Sequence, residues 1–270
     1  MNAAGCRRGP RPPGARLGGE KMPVYQGFRL VAVLAAMLVL SERALAAGAA
    51  YQVDTADVSE PGSCKVESWA SFAKNGDFIG STSPDCVVSV FGKPVDFSAQ
   101  FSRFKSDDEW GTAVFPKAKT NLIPTGVGQL GVAVSGSLAV DLITGDLAAW
   151  FITAPLTYRF SDTLRMNVNL GYARDRNVEK NYFTYGLGFD LRTPDNVWTL
   201  TAEVFGIAGT ITEDQDRGQI RPRWQVGLRW RPIDDFNVDV IYGRNLTGED
   251  SNWITLATVF RFKASGLGDK

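Results

Sequence analysis

Residues 181 to 190 read Asn-Tyr-Phe-Thr-Tyr-Gly-Leu-Gly-Phe-Asp, and this stretch decides the fold. A period of two residues divides it into two rows, which is typical of a β-strand with two different faces. A strand of about ten residues is also long enough to cross a bilayer at a tilt. The apolar row is Phe183, Tyr185, Leu187 and Phe189, and the polar or small row is Tyr182, Thr184, Gly186, Gly188 and Asp190.

The same period continues on both sides of this stretch. Apolar rows with several aromatic residues run through 150–160, 164–172, 198–204, 224–230, 236–242 and 254–262. Less regular strands are predicted at 65–73, 85–91, 95–104, 110–122 and 129–140. An even number of strands is expected for a closed bacterial barrel. The sequence therefore predicts an all-β fold, a closed antiparallel transmembrane β-barrel of about twelve strands over residues 64–262, with ten strands as the alternative.

The predicted connections alternate in length. Short turns rich in Asp, Asn, Pro and Thr lie at 161–163, 193–196 and 232–235, and longer polar links lie at 174–180, 207–221 and 244–251. Outer-membrane barrels have short periplasmic turns and longer external loops, so this alternation favours a membrane barrel. The competing interpretation is a soluble periplasmic barrel or sandwich, in which the aromatic rows would form the core.

The composition excludes several classes of chemistry. The 270 residues include no His, which rules out nucleophilic catalysis with a His base and His-ligated metal sites. Seven of the 29 basic residues lie in the first 46 positions, so the remainder has 22 basic and 27 acidic residues, the wrong sign for a nucleic-acid partner. We expect no enzymatic activity, no cofactor and no metal.

The beginning of the chain has the features of an export signal. Within the leader and signal peptide predicted at 1–46, basic residues precede an apolar run at 30–40 and an Ala44-Leu45-Ala46 cleavage pattern. That run is too short to cross a bilayer as a helix, which makes an uncleaved anchor the lesser alternative. We expect a mature chain beginning at Ala47, with a periplasmic segment at 47–63 and a C-terminal tail at 263–270.

The cysteines leave one question open. Cys6 falls within the leader, while Cys64 and Cys86 remain in the mature chain, where an exported protein permits a disulfide. If each of the two began a strand of a plain hairpin, they would lie a strand length apart, too far to bond. Either the bond or that hairpin register must then be wrong.

Eight short motifs follow one another along the chain. They are Glu67-x-Trp69, Pro116-Lys117-Ala118-Lys119, Pro155-Leu156-Thr157-Tyr158, Asn169-Leu170-Gly171-Tyr172, Tyr185-Gly186-Leu187-Gly188, Glu203-Val204-Phe205-Gly206, Gln225-Val226-Gly227-Leu228-Arg229 and Phe260-Arg261-Phe262. In this order they resemble the outer-membrane meta-pathway phenol-degradation (MetA-type) transporter family. The resemblance implies a channel or transporter in the outer membrane and brings no catalytic residues. One departure is that such barrels usually end at an aromatic residue read by the assembly machinery, whereas residues 263–270 follow Phe262 here.

If the apolar rows face lipid, the opposite rows face the lumen and hold the candidate functional groups. A charge on the lipid face costs about 2–4 kcal/mol at the midplane, so these residues choose the register. The predicted pore-lining residues are Arg165, Asn169, Thr184, Asp190, Glu203, Gln225, Arg229, Arg231, Asp239 and Arg261.

Two roles are open for this polar lining. The guanidinium groups, with Arg159, could form a constriction that favours anionic solutes, or they could pair with Asp190, Asp239 and Glu203 as a ladder that only fills the barrel. The predicted function is passive passage of small molecules such as aromatic compounds or organic anions; a structural or adhesive barrel with a filled interior is the alternative. The expected partners are outer-membrane lipid, the barrel assembly machinery and a small-molecule solute.

Overall fold

The structure is a computed structural model that describes residues 50–106, 108–176, 179–209, 222–246 and 252–264. These residues form twelve β-strands, and the alternating rows of the sequence become the two faces of one sheet. The strands are β1 (Ser63–Ala73), β2 (Phe78–Val90), β3 (Lys93–Ser106), β4 (Glu109–Ile123), β5 (Leu130–Asp141), β6 (Leu147–Arg159), β7 (Leu164–Asp175), β8 (Lys180–Arg192), β9 (Trp198–Gly209), β10 (Arg223–Ile233), β11 (Phe236–Asn245) and β12 (Asn252–Lys263).

Each strand pairs antiparallel with its neighbours in sequence, and β1 pairs with β12 to close the barrel. The predicted fold class and the count of twelve strands are therefore confirmed. We call the end where β1 begins and β12 ends the near end, and the opposite end the far end. The sheet has no free edge, so every strand has a hydrogen-bonding partner on both sides.

The outer face carries the apolar rows, as predicted. Phe183, Leu187 and Phe189 of β8 are exposed there, whereas Thr184 and Asp190 on the other row are buried. The aromatic rings form contacts at both ends of the barrel, as the girdles of membrane barrels do. Near-end pairs are Tyr158 with Phe160, Trp198 with Trp230 and Phe260 with Phe262; far-end pairs are Phe72 with Phe78, Trp150 with Tyr172 and Trp224 with Tyr242.

The second strand begins earlier than predicted. It starts at Phe78 rather than at Asp85, which brings Cys86 directly opposite Cys64 in the pairing of β1 with β2. The two residues form a disulfide between adjacent strands. Of the two possibilities, the assumed hairpin register was therefore wrong. Residues 80–83 are rich in Ser and Thr and lack an apolar row, but they still extend the ladder through backbone hydrogen bonds.

The alternation in connection length is weaker than predicted. The far-end connections 74–77, 107–108, 142–146 and 176–179 are about as short as the near-end connections 160–163, 193–197 and 234–235. Of the predicted long links, 174–180 shrinks because β7 and β8 extend into it through backbone pairing. The other two lie largely outside the described residues, as do the predicted leader and signal peptide and most of the C-terminal tail.

In the part of the chain that the structure describes, no helix has the length and hydropathy of a membrane-spanning helix. The same residues contain no group of three or more acidic or Cys side chains placed to hold a metal ion.

Candidate functional site: a strap across the lumen

The residues that precede β1 lie inside the barrel. We call residues 50–61 the strap. Tyr51, Val53, Asp54 and Ala56 are all buried, although no strand of the sheet contains them. The strap contacts β9, β10 and β11 at its first residues and β4, β6 and β7 at its later ones, so it crosses the lumen from one wall to the other. This corrects the prediction of a periplasmic segment at 47–63.

Asp54 anchors the middle of the strap. Its carboxylate lies 2.5 Å from Nζ of Lys117 and 3.0 Å from Nζ of Lys119, both on the inward row of β4. The Asn169 side chain accepts a hydrogen bond from the Asp54 backbone N–H at 2.6 Å and donates one to the Asp54 carbonyl at 2.7 Å. Burial alone would raise the pKa of Asp54, but the two ammonium groups outweigh it and hold this pKa well below its usual range.

Asp57 anchors the strap closer to the near end. One carboxylate oxygen lies 2.8 Å from Nη2 of Arg159 and 2.9 Å from Nη1 of Arg165. Arg165 also donates from Nε to Asp190 at 2.6 Å, so it joins the strap to the wall of β8. Between the two acidic residues, the Ala56 backbone N–H donates to Oγ1 of Thr157.

The first residues of the strap are held by the opposite wall. Glu203 accepts hydrogen bonds from the backbone N–H groups of Gln52 and Val53 and from Nε2 of Gln225. Tyr51 donates its hydroxyl to Asp239 at 3.1 Å, and its ring lies 5.5 Å from the guanidinium carbon of Arg229. Burial, together with the Asp239 carboxylate, raises the pKa of Tyr51 above its usual range, so the phenol remains a donor.

Glycines on the inward rows make room for the strap. A Cβ atom at Gly186 would lie 2.8 Å from Cγ2 of Val53, and one at Gly227 would lie 2.7 Å from Cε1 of Tyr51. Real Cβ atoms do not approach other atoms so closely, so any larger residue at these positions would have to displace the side chain of Val53 or Tyr51.

The far half of the lumen has a different lining. Eleven buried residues of β2 to β9 form one apolar cluster there, and we call it the apolar cluster. These side chains come from the wall itself and not from the strap. The members are Ile79, Phe104, Ala113, Phe115, Ala139, Ala148, Ala149, Phe151, Ala173, Tyr182 and Ile207.

The ten residues predicted to line a pore all lie on inward rows, and six of them contact the strap: Arg165, Asn169, Glu203, Gln225, Arg229 and Asp239. Asp190 reaches the strap through Arg165, and Thr184 is buried beside Gly171. For Arg231 and Arg261, the described residues offer no carboxylate within ion-pair distance, and each has a buried nitrogen without a hydrogen-bond partner.

Only part of the predicted ladder of arginine–acid ion pairs is formed. Arg165 pairs with Asp190, and Arg229 pairs with Asp239 at 2.8 Å. Glu203 instead binds the strap backbone. Whether these ten residues line a conducting pore stays a prediction.

Sequence reasoning missed the strap itself, and with it Tyr51, Asp54 and Asp57. Signals for it were present in the sequence. Lys117 and Lys119 share an inward row on which only Asp96 of β3 faces them, so that two basic groups meet one acid, and inward glycines cluster at 186, 188 and 227. Both signals indicate that something other than the wall fills the lumen.

This architecture defines the class of the protein: a closed twelve-stranded antiparallel barrel with an apolar exterior and a polar near half, as in outer-membrane β-barrels. The model of an uncharacterised conserved protein family, UCP029691, matches residues 35–262, and the chain belongs to this family. A search among curated proteins found none that is similar to this chain.

Solved structures share the fold at low identity. The chain is similar to the KdgM porin in complex with disordered oligogalacturonate, with 10% identity, a TM-score of 0.54 and coverage of 73% of this chain and 99% of that chain. The NanC porin has 7% identity, a TM-score of 0.55 and coverage of 72% and 98%. The COG4313 outer-membrane channel from Pseudomonas putida F1 has 11% identity, a TM-score of 0.55 and coverage of 76% and 97%.

Proposed function

We propose that the protein is an outer-membrane channel for small organic anions and that the strap holds it closed. The observation that carries this proposal is the charge of the lumen wall. The near half carries nine inward basic side chains, which we call the basic belt, and six inward acidic side chains. The basic belt is Lys65, Lys117, Lys119, Arg159, Arg165, Arg192, Arg229, Arg231 and Arg261; the acids are Glu67, Asp85, Asp96, Asp190, Glu203 and Asp239.

The strap offsets most of this excess positive charge. Its carboxylates, Asp54 and Asp57, bind four members of the basic belt. A strap that leaves the lumen therefore leaves a net basic passage, and rings of basic side chains favour anions in pores. The similar folds of the KdgM porin, the NanC porin and the COG4313 channel support a channel as the general role.

We also propose a location and a solute class from the signal peptide, the barrel and the motif resemblance. We expect export by the signal peptide at 1–46, insertion by the barrel assembly machinery into the outer membrane of a Gram-negative bacterium, and a near end that faces the periplasm. The motif resemblance to phenol-degradation transporters favours aromatic anions. An aromatic carboxylate would match the basic belt with its charge and the apolar cluster with its ring.

The proposal is tested by single-channel recording of purified protein in planar bilayers. We expect the wild-type protein to be closed most of the time. A variant lacking residues 50–58 should conduct in discrete steps, and in a KCl gradient its reversal potential should indicate anion preference. Heat-modifiable mobility on SDS gels checks that both proteins are folded barrels.

A sealed structural barrel is the second candidate, and a specific observation favours it. The strap fills the near half of the lumen, and the apolar cluster is buried in the far half. If the variant without residues 50–58 is folded but silent, the channel proposal is wrong and the sealed barrel is supported.

A further inference from the structure

Each acidic side chain of the strap lies between two basic side chains of the wall. Asp54 lies between Lys117 and Lys119, and Asp57 lies between Arg159 and Arg165, with nitrogen to oxygen distances of 2.5 to 3.0 Å. A carboxylate held by two cationic groups is the geometry of an anion-binding site. The wall thus contains two such sites, which we call the lysine subsite and the arginine subsite.

The two subsites need an anion. Lys119 is buried, and its side chain is only 9% exposed. Within the described residues, no other ion pair is formed by Lys117, Lys119 or Arg159, while Arg165 keeps Asp190. Removing one partner from a buried ion pair is strongly unfavourable because the other charge remains uncompensated. A wall without the strap therefore favours an anion most strongly at the lysine subsite, and less strongly at the arginine subsite, where the Asp57 side chain is 31% exposed.

The strap also fixes the distance between the subsites. Asp54 and Asp57 are three residues apart, and because the chain bends at Ala56, their separation stays below the roughly 10 Å that a fully extended chain covers over three residues. Between them, Thr157 accepts a hydrogen bond from the Ala56 backbone, and Asn169 binds the backbone of Asp54 on both sides. A ligand that spans the subsites thus meets hydrogen-bonding groups along the way as well as charge at both ends.

We propose that Asp54 and Asp57 are built-in mimics of the solute, and that the solute class is an anion with two carboxylates separated by at most about 10 Å. Such a dianion binds the lysine and arginine subsites in place of the strap. This inference rests on the proposed channel function, for which it names the solute class and the way in which the solute releases the closure.

The tether sets the concentration at which the exchange occurs. A segment attached by a short linker has an effective concentration in the millimolar range at its own site. A free dianion with similar contacts must therefore reach millimolar concentration to displace the strap of the wild-type protein. A dianion whose carboxylates are too close together occupies only one subsite and competes poorly.

The test uses suberate, an eight-carbon dicarboxylate of suitable length, with succinate as the short control. Binding to purified barrels is measured by isothermal titration calorimetry. The double variant Asp54→Asn, Asp57→Asn frees both subsites and should bind suberate on the order of tenfold more tightly than the wild-type protein, and more tightly than it binds succinate. The matched control, Asp162→Asn with Asp195→Asn, changes two near-end turn residues that contact neither subsite and should bind as the wild type does.

The contacts with the wall are tested on the same background. Adding Lys117→Gln and Arg165→Gln to the double variant should abolish saturable suberate binding. The inference is overturned if the folded double variant binds suberate no better than the wild type or no better than succinate. Should the double variant fail to fold, the variant lacking residues 50–58 supplies the second route, because it removes both carboxylates and leaves the wall unchanged.

Failure of this inference and failure of the channel proposal would give different experimental results. Suberate binding without conductance in the variant lacking residues 50–58 would support the two subsites and contradict the channel. Conductance in that variant without preference for suberate over succinate would support the channel and contradict the two subsites.

Discussion

The near and far halves of the lumen are filled in different ways. In the near half, a tethered segment of the chain binds the wall through ion pairs and hydrogen bonds, and those to Asp54 and Glu203 are buried. In the far half, residues of the wall such as Phe115 and Phe151 pack against one another. Polar contacts with a tethered segment can be exchanged for contacts with a solute, whereas packing within the wall cannot be exchanged without loss of stability. The adjustable part of the lumen is therefore the near half.

The largest effect on conductance is expected from a change that ejects the strap without altering charge. In Gly227→Val, the new side chain would overlap the ring of Tyr51, so the strap must leave that wall. Channel activity in planar bilayers should rise to that of the variant lacking residues 50–58. Gly136→Val is the control, since a Cβ there meets only a carbonyl oxygen, 3.9 Å away. Equal conductance of the two glycine variants would contradict the proposed difference between the two halves, because the near half would not then control passage.

The far half should respond in stability. Phe151→Ala removes a buried ring from the apolar cluster and should lower the free energy of unfolding by about 3–5 kcal/mol, measured by urea titration of the folded barrel. Phe91→Ala, in the fully exposed turn between β2 and β3, should change it by less than about 0.5 kcal/mol. If the loss for Phe151→Ala were as small as that for Phe91→Ala, the far half would not be a packed core.

The difference between the halves explains how much the sequence could predict. Strand positions and inward residues such as Asp190 and Gln225 followed from a period of two, because a charge or amide on the lipid face is costly. The inward apolar residues Phe115 and Phe151 did not follow, since an apolar residue satisfies either face and hence gives no signal of direction. The strap was missed for a related reason: its residues have no periodicity, and their partners lie more than 60 positions away in the chain.

An intermediate effect is expected from acid. The pKa of Asp54 is lowered in the docked strap, so its contribution to docking is complete above its ordinary value of 3.8 and is lost as the pH falls through the lowered value. Channel activity should be flat between about pH 5 and 8 and rise below about pH 4. In Asp54→Asn the neutral side chain cannot respond, so activity should be higher at neutral pH and rise less in acid. A wild-type response confined to neutral pH would point to a different group.

The smallest effect is expected for ion selectivity, because seven other members of the basic belt remain when two are changed. In the variant lacking residues 50–58, the added substitutions Arg229→Gln and Arg261→Gln should lower the anion to cation permeability ratio by a few fold, as rings of charged side chains set selectivity in pores. Arg103→Gln is the control, since Arg103 lies on the outer face over Trp110. Arg229 pairs with Asp239, whereas Arg261 has no acid partner among the described residues, so Arg261→Gln alone should cause most of the change. Unchanged selectivity would mean that these arginines only fill the barrel, and the near half would then resemble the far half in function despite its charge.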